Sequence, residues 1–293
     1  MNEVTWGYPI ALYLFFAGLS AGGFVFTAVF SRVSSGQAER VRQKSAILLP
    51  FLLGFGILML ISDLGRKLAF WKLLLHFNID SPMSMGLWIL IVFSILLLLW
   101  AIIWLPEGIH SRVPALSEWV LKLRTWNRER IGLWGSALAI LVAVYTGVLL
   151  SSAAVPLWNY ALPLLFLFSS LSTGFALGLL PGLASDAGNK AGENKYEDFL
   201  LKRYRLLLIG QLLAVSIFLF VTYVTQPQEV MINLINGWIG CLWWFGAIGA
   251  GILFPLIITF LKTKSRWFLS AAIIVELGGA FLLRWSLLLA GQA

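Results

Sequence analysis

The chain has 293 residues, 60% of them hydrophobic and 12% charged, with a mean hydropathy of +0.89 and a formal net charge of +8. So few charged residues cannot clothe a soluble domain, in which about a quarter of the residues are charged. The apolar runs are long and do not alternate with period two, which excludes a β-barrel and leaves membrane-spanning helices, the other structure that satisfies every backbone polar group in lipid.

A helix rises about 1.5 Å per residue, so roughly 20 apolar residues cross a hydrocarbon core about 30 Å thick. Eight such spans are predicted. The first, Ile10 to Phe30, follows a segment, Met1 to Pro9, that has no basic residue and gives no sign of a cleavable signal peptide. It carries Tyr13 near its start and a glycine-rich run from Gly18 to Gly23. The second, Ala46 to Ile61, is the shortest and leads to Asp63, Arg66 and Lys67. The loop beyond it holds an apolar stretch, Leu68 to Phe77, suited to a short interfacial helix over a pocket. Then comes Ser81-Pro82-Met83-Ser84-Met85-Gly86, where Pro82 restarts a helix with Ser81 or Ser84 as its N-cap. The third span is Gly86 to Leu105, and the fourth, Ile131 to Ser152, contains Tyr145. The remaining four are Trp158 to Leu180, Leu206 to Thr225, Gly237 to Leu261, and Phe268 to Ala290, which holds Glu276 and Arg284. Glycines in the first, seventh and eighth spans read as helix-packing surfaces.

The loops after spans one, three, five and seven carry 17 of the 21 Lys and Arg residues; the opposite face has Arg66, Lys67 and Lys72, and Arg284 lies within a span. Basic loops stay in the cytoplasm, so both ends of the chain are expected outside. The positive charge is then a consequence of topology and of anionic inner-leaflet lipid, and nucleic acid is not an expected partner. The one cysteine, Cys241, rules out a disulfide, a covalent c-type haem and a self-contained iron–sulfur cluster. The two histidines, His76 and His110, fall in loops on opposite faces and do not make a haem ligand pair; no metal site is expected.

Polar groups inside spans are costly and mark candidate sites. Counted along the helix axes, Tyr13, Asp63, Tyr145 and Arg284 share the outer third, and Glu276 lies roughly 12 Å from the inner end of the last span. Each has a structural reading as well: Asp63 with Arg66 as an interfacial ion pair, the tyrosines as members of an aromatic belt, and Glu276 and Arg284 as bonded to neighbouring helices.

The ordered set of Trp6-Gly-Tyr8-Pro9, Gly18 to Gly23, Asp63 to Arg66, Ser81 to Gly86, Tyr145-Thr146-Gly147, Pro163 to Phe166 with Ser-Thr-Gly174, and Glu276-Leu-Gly-Gly279 leading to Arg284 resembles the polysulfide reductase membrane-subunit family, often called NrfD/PsrC-like. The similarity covers nearly the whole chain. It implies an all-α integral membrane protein of two four-helix bundles, residues 1–153 with an outer loop at 63–85 and residues 154–293, in a bacterial or archaeal inner (cytoplasmic) membrane. A short echo supports the pairing: Phe16-Ala-Gly-Leu-Ser20-Ala-Gly22 recurs as Phe168-Ser-Ser-Leu-Ser172-Thr-Gly174.

The resemblance further implies a quinone-reactive anchor subunit of a respiratory oxidoreductase, active in anaerobic respiration. Such a subunit exchanges electrons between menaquinone or ubiquinone and an iron–sulfur, ferredoxin-like partner on the outer face, which serves a molybdopterin or other catalytic subunit. The chain itself carries neither haem nor an iron–sulfur cluster in this reading. Quinone chemistry needs donors for two carbonyl oxygens, an apolar slot and a proton-exchanging group. Tyr13, Tyr145, Arg66, Ser81, Met83 and Arg284 are the quinone-binding candidates, and Asp63 and Glu276 the catalytic ones. Two other classes stay open: a secondary transporter built around the buried carboxylate, and an anchor with no ligand of its own.

Overall fold

A computed structural model of the chain describes residues 6–30, 36–64, 78, 81–106, 118, 121–123, 128–183, 191–261 and 266–293. Arg66, the predicted interfacial stretch Leu68 to Phe77 and both histidines lie outside these residues. The described residues form helices α1 (Tyr8–Phe30), α2 (Gly36–Asp63), α3 (Pro82–Ile103), α4 (Arg128–Ser151), α5 (Leu162–Leu183), α6 (Ala191–Thr225), the short α7 (Gln228–Ile235), α8 (Gly237–Phe260) and α9 (Arg266–Gln292). All but α7 are long and apolar enough to cross a membrane, so the chain is an all-α, multi-pass membrane protein of eight spans.

Two helices outrun their predicted spans at the basic end. The apolar part of α2 is Val41–Asp63, a full crossing where a short one is expected from Ala46, and α6 starts at Ala191 although its apolar run begins near Leu206. In both, charged residues with good helix propensity carry the helix out of the hydrocarbon without a break. The start of α3 follows its local chemistry: Ser81 is the N-cap, its hydroxyl accepting from the Ser84 N–H at 3.4 Å, and Pro82 occupies the first turn.

In α8 the chain departs from the expected α-helix. Gly237 opens it with φ 64°, and Leu242–Leu253 is wound as a π-helix, far longer than the single-turn bulges in which this geometry is usually found. This stretch lies against α9, where a Cβ on Gly251 would stand 2.8 Å from the Cα of Gly279.

Helix α1 packs against α2 and α4, and α3 packs against the same two; α5 packs against α6 and α9, and α8 packs against the same two. The sets are joined where α5 meets α1, α2 and α4, and where α9 meets α1. Of the spans, α1 is the most buried and α5 the next. Their contact is built from small residues: a Cβ on Gly22 would collide with the backbone of Ser170 and one on Gly174 with the backbone of Gly22, while Gly18 faces the Ser170 hydroxyl. Close backbone approach of this kind gives dispersion contact where lipid offers no hydrophobic drive. Phe24, Phe93 and Trp100 fill the first set, with the Trp100 indole donating to Thr27 Oγ1 at 2.9 Å; Phe166, Phe218 and Trp243 fill the second. At the end where α1 begins and α9 stops, the Trp6 N–H donates to Gln292 Oε1 at 2.6 Å, and the Trp6 ring stacks on Trp158 with centroids 5.2 Å apart.

Candidate functional site

A cavity of about 470 Å³ opens among α1, α2, α3 and α4, at the end where Ser81 caps α3. That volume suits a drug-sized or cofactor-sized molecule. One long wall is apolar, with Ile57, Leu60 and Ile61 from α2 facing Leu87, Leu90 and Ile91 from α3. The polar part of its lining is Tyr13, Tyr145, Ser81, Ser84, Asn78 and Ser94, with Met83 among them.

Local sequence sets each of these. Tyr13 is one turn into α1 and only 2% exposed, and its hydroxyl makes no hydrogen bond among the described residues. The Tyr145 hydroxyl donates to the Pro82 carbonyl at 3.0 Å, a bond available because Pro82 opens α3 and its carbonyl lies in the first turn. The Tyr145 ring lies against Gly86, where any Cβ would overlap it. Ser84 is tied to the loop by accepting from the Asn78 N–H at 3.0 Å, and Ser94 is satisfied locally by donating to the Leu90 carbonyl at 2.7 Å.

Of the sequence candidates, Tyr13, Tyr145, Ser81 and Met83 therefore line one cavity. Asp63 does not line it; it is the exposed last residue of α2, immediately before the lining residue Leu64. Arg66 lies outside the described residues.

Glu276 and Arg284 belong to a separate polar cluster among α5, α6 and α9. Arg284 is fully buried: Nη1 donates to Ser169 Oγ and to the Ala280 carbonyl, both at 3.0 Å, and Nη2 donates to Ser170 Oγ at 3.2 Å. Its guanidinium stands over the Phe166 ring, 5.1 Å from the centroid. Glu276, also fully buried, accepts a hydrogen bond from the Tyr204 hydroxyl. Ser172, next to that carboxylate, donates to Gln211 Oε1 at 2.6 Å. Depth along the axis put Arg284 level with the tyrosines, but its side chain turns toward α5 instead of the cavity.

Sequence reasoning passed over the apolar walls of α2 and α3, which look like any lipid-facing helix, and over Asn78 and Ser94. Ser94 carries a signal, as a single hydroxyl in an otherwise apolar run from Leu87 to Leu99. Tyr204 and Gln211, the buried polar residues of α6 that meet the α5 and α9 cluster, were also missed.

The sequence matches a family model described as "Polysulphide reductase, NrfD" over residues 1–293. Among curated proteins it is 31% identical to a polysulfide reductase chain of Wolinella succinogenes, an alignment covering 99% of this chain and 95% of that one. It is 31% identical to the NrfD homolog of Haemophilus influenzae, with the same coverage, and 28% identical to a selenate reductase subunit of Mesobacillus selenatarsenatis, covering 97% and 73% respectively.

Proposed function

The chain belongs to the polysulphide reductase NrfD family, and from that premise we propose that it is the quinone-reactive membrane anchor of a respiratory reductase complex. The observation that carries the reading is the cavity, an apolar slot with two tyrosines in its lining. Its form suits a flat ring with an oxygen at either end and an isoprenoid tail. Oxidation of a quinol releases two electrons and two protons; the electrons leave to an iron–sulfur partner on the outer face, itself serving a catalytic subunit, and the reverse flow reduces a quinone. Relatives named as parts of polysulfide and selenate reductases support such partners.

In this reading Tyr13 holds one quinone oxygen with its unused hydroxyl, and Tyr145 holds the other, exchanging its bond to the Pro82 carbonyl for one to the ligand. Ser81 and Met83 close the slot. Asp63, exposed beside Leu64, passes protons between the cavity mouth and water, with Arg66 following it closely in the sequence. Glu276 and Arg284 act from outside the slot: Arg284 fixes α5 against α9, and Glu276 with Tyr204 holds a proton-exchanging pair in the membrane. The two closed circuits of helix contacts support two four-helix bundles, residues 1–153 and 154–293, and the charge asymmetry supports both ends outside a bacterial inner membrane.

The test is quinol oxidation by the assembled complex in membranes. Asp63→Asn is expected to slow it about a hundredfold, the lower range for loss of a proton-transfer group. Tyr145→Phe should slow it roughly tenfold, the worth of one hydrogen bond. Both variants should retain the partner subunits. Rates equal to wild type in both would remove the site and favour an anchor without a ligand.

A further inference from the structure

The cavity among α1 to α4 is longer than a quinone ring. One end is fixed by bonds at the start of α3, where the Tyr145 hydroxyl donates to the Pro82 carbonyl and Ser84 Oγ accepts from the Asn78 N–H, both at 3.0 Å. From there the lining runs into the membrane along α3 through Leu87, Leu90 and Ile91 to Ser94, about 15 Å beyond Ser84. Along α2 it runs from Leu64 through Ile61 to Ile57, about 10 Å. This inner arm of α3 has no free side-chain donor, because the Ser94 hydroxyl already gives its hydrogen to the Leu90 carbonyl at 2.7 Å. Tyr13 adds the opposite requirement: it is 2% exposed and lines the same cavity, and its hydroxyl has no hydrogen-bond partner among the described residues. The occupant therefore has a polar part and a long apolar part.

The lining stripe of α2 continues past Ile57. Residues three or four apart share one helix face, so the next place after Leu64, Ile61 and Ile57 belongs to Gly54, where a Cβ would meet open space. Counted from Leu64 and from Ser84, Gly54 and Ser94 each lie about 15 Å in. Both are half-buried, and α2 and α3 pack together. Around Gly54 the side chains of Phe51, Phe55 and Leu58 are exposed, and around Ser94 those of Val92 and Ile95, all in spans where exposure means lipid. Two small residues thus stand where the apolar walls pass from the cavity to the bilayer.

Given the quinone reading of this cavity, on which the inference rests, we propose that the prenyl tail leaves between α2 and α3 through a window bounded by Gly54 and Ser94. These two positions then set how well tailed quinones are used. A compact ligand would reach the tyrosines and leave the inner arm empty. Leaving toward the bilayer interior keeps the tail in hydrocarbon, whereas a path past the exposed Asp63 would bring it to the interface.

The assembled complex in membranes is assayed with quinols that share one ring and either carry a prenyl tail or lack it, in a naphthoquinol and a benzoquinol series. Gly54→Leu fills the open space and should raise KM for the tailed quinol about tenfold, with the tail-free quinol oxidised at its wild-type KM and rate. Ser94→Phe should raise the tailed KM similarly. A role in packing alone would move both substrates together. Wild-type KM for the tailed quinol in both variants, or equal losses on the two substrates in Gly54→Leu, would overturn the window. Asp63→Asn and Tyr145→Phe separate that failure from failure of the quinone site: if both oxidise the tail-free quinol at the wild-type rate, the site falls and the window with it.

Discussion

A methyl group at position 86 would fall on the ring of Tyr145, so the glycine and the tyrosine form a single fit between α3 and α4. Gly86→Ala must push that ring away and break its bond to the Pro82 carbonyl. The variant is expected to lose at least tenfold in quinol oxidation while the complex still assembles; a wild-type rate would show that the ring position does not matter. At this scale the sequence exposed the chemistry better than the grouping. Tyr13, Tyr145, Ser81 and Met83 are recognisable because polar or unusual residues near span ends are few, and they do meet at one cavity. The resemblance and the depth along the helix group Arg284 with them. Depth gives a height along a helix and leaves out the direction in which the side chain leaves it. The missing direction was written in α5, where the adjacent hydroxyls of Ser169 and Ser170 supply the acceptors that a buried guanidinium requires.

Between elements, the contact of α1 with α5 depends on side chains that are absent. Gly174→Leu places a branched side chain where the backbone of Gly22 lies, and overpacking of this kind costs about 1–3 kcal/mol. It should lower the melting temperature measured in detergent by several degrees, whereas the same change at Gly54, which has open space where a Cβ would go, should leave it unchanged. The positions of the helices were legible because eight apolar runs have no other use in one chain. Their true lengths were not, since a hydropathy window stops at the first charged residue, although α2 and α6 stay helical through theirs. The π-helical winding of Leu242–Leu253 left only an indirect trace, the glycines at 246, 249 and 251, because winding depends on how the run fits against α9.

For the whole molecule, the basic loops predict that both ends of the chain face outward. In a Cys241→Ala background, Gln228→Cys at the start of α7 should react with a membrane-impermeant thiol reagent in intact cells, and Glu129→Cys in the first turn of α4 should react only after the cells are opened. Both positions are exposed, so accessibility reports sidedness. The reverse pattern would invert the topology and move the proposed quinone cavity to the cytoplasmic face. The contact between α1 and α5 also bears on origin. Gly22 meets Gly174 and Gly18 meets Ser170, and these are equivalent positions of the echoed segment. Residues that meet their own counterparts make an isologous contact, the signature of a two-fold symmetric dimer. A chain assembled by duplication and fusion of one such protomer inherits that axis. On one side of that contact lies the cavity among α1 to α4, and on the other Arg284, Phe166, Phe218 and Trp243 fill the interior.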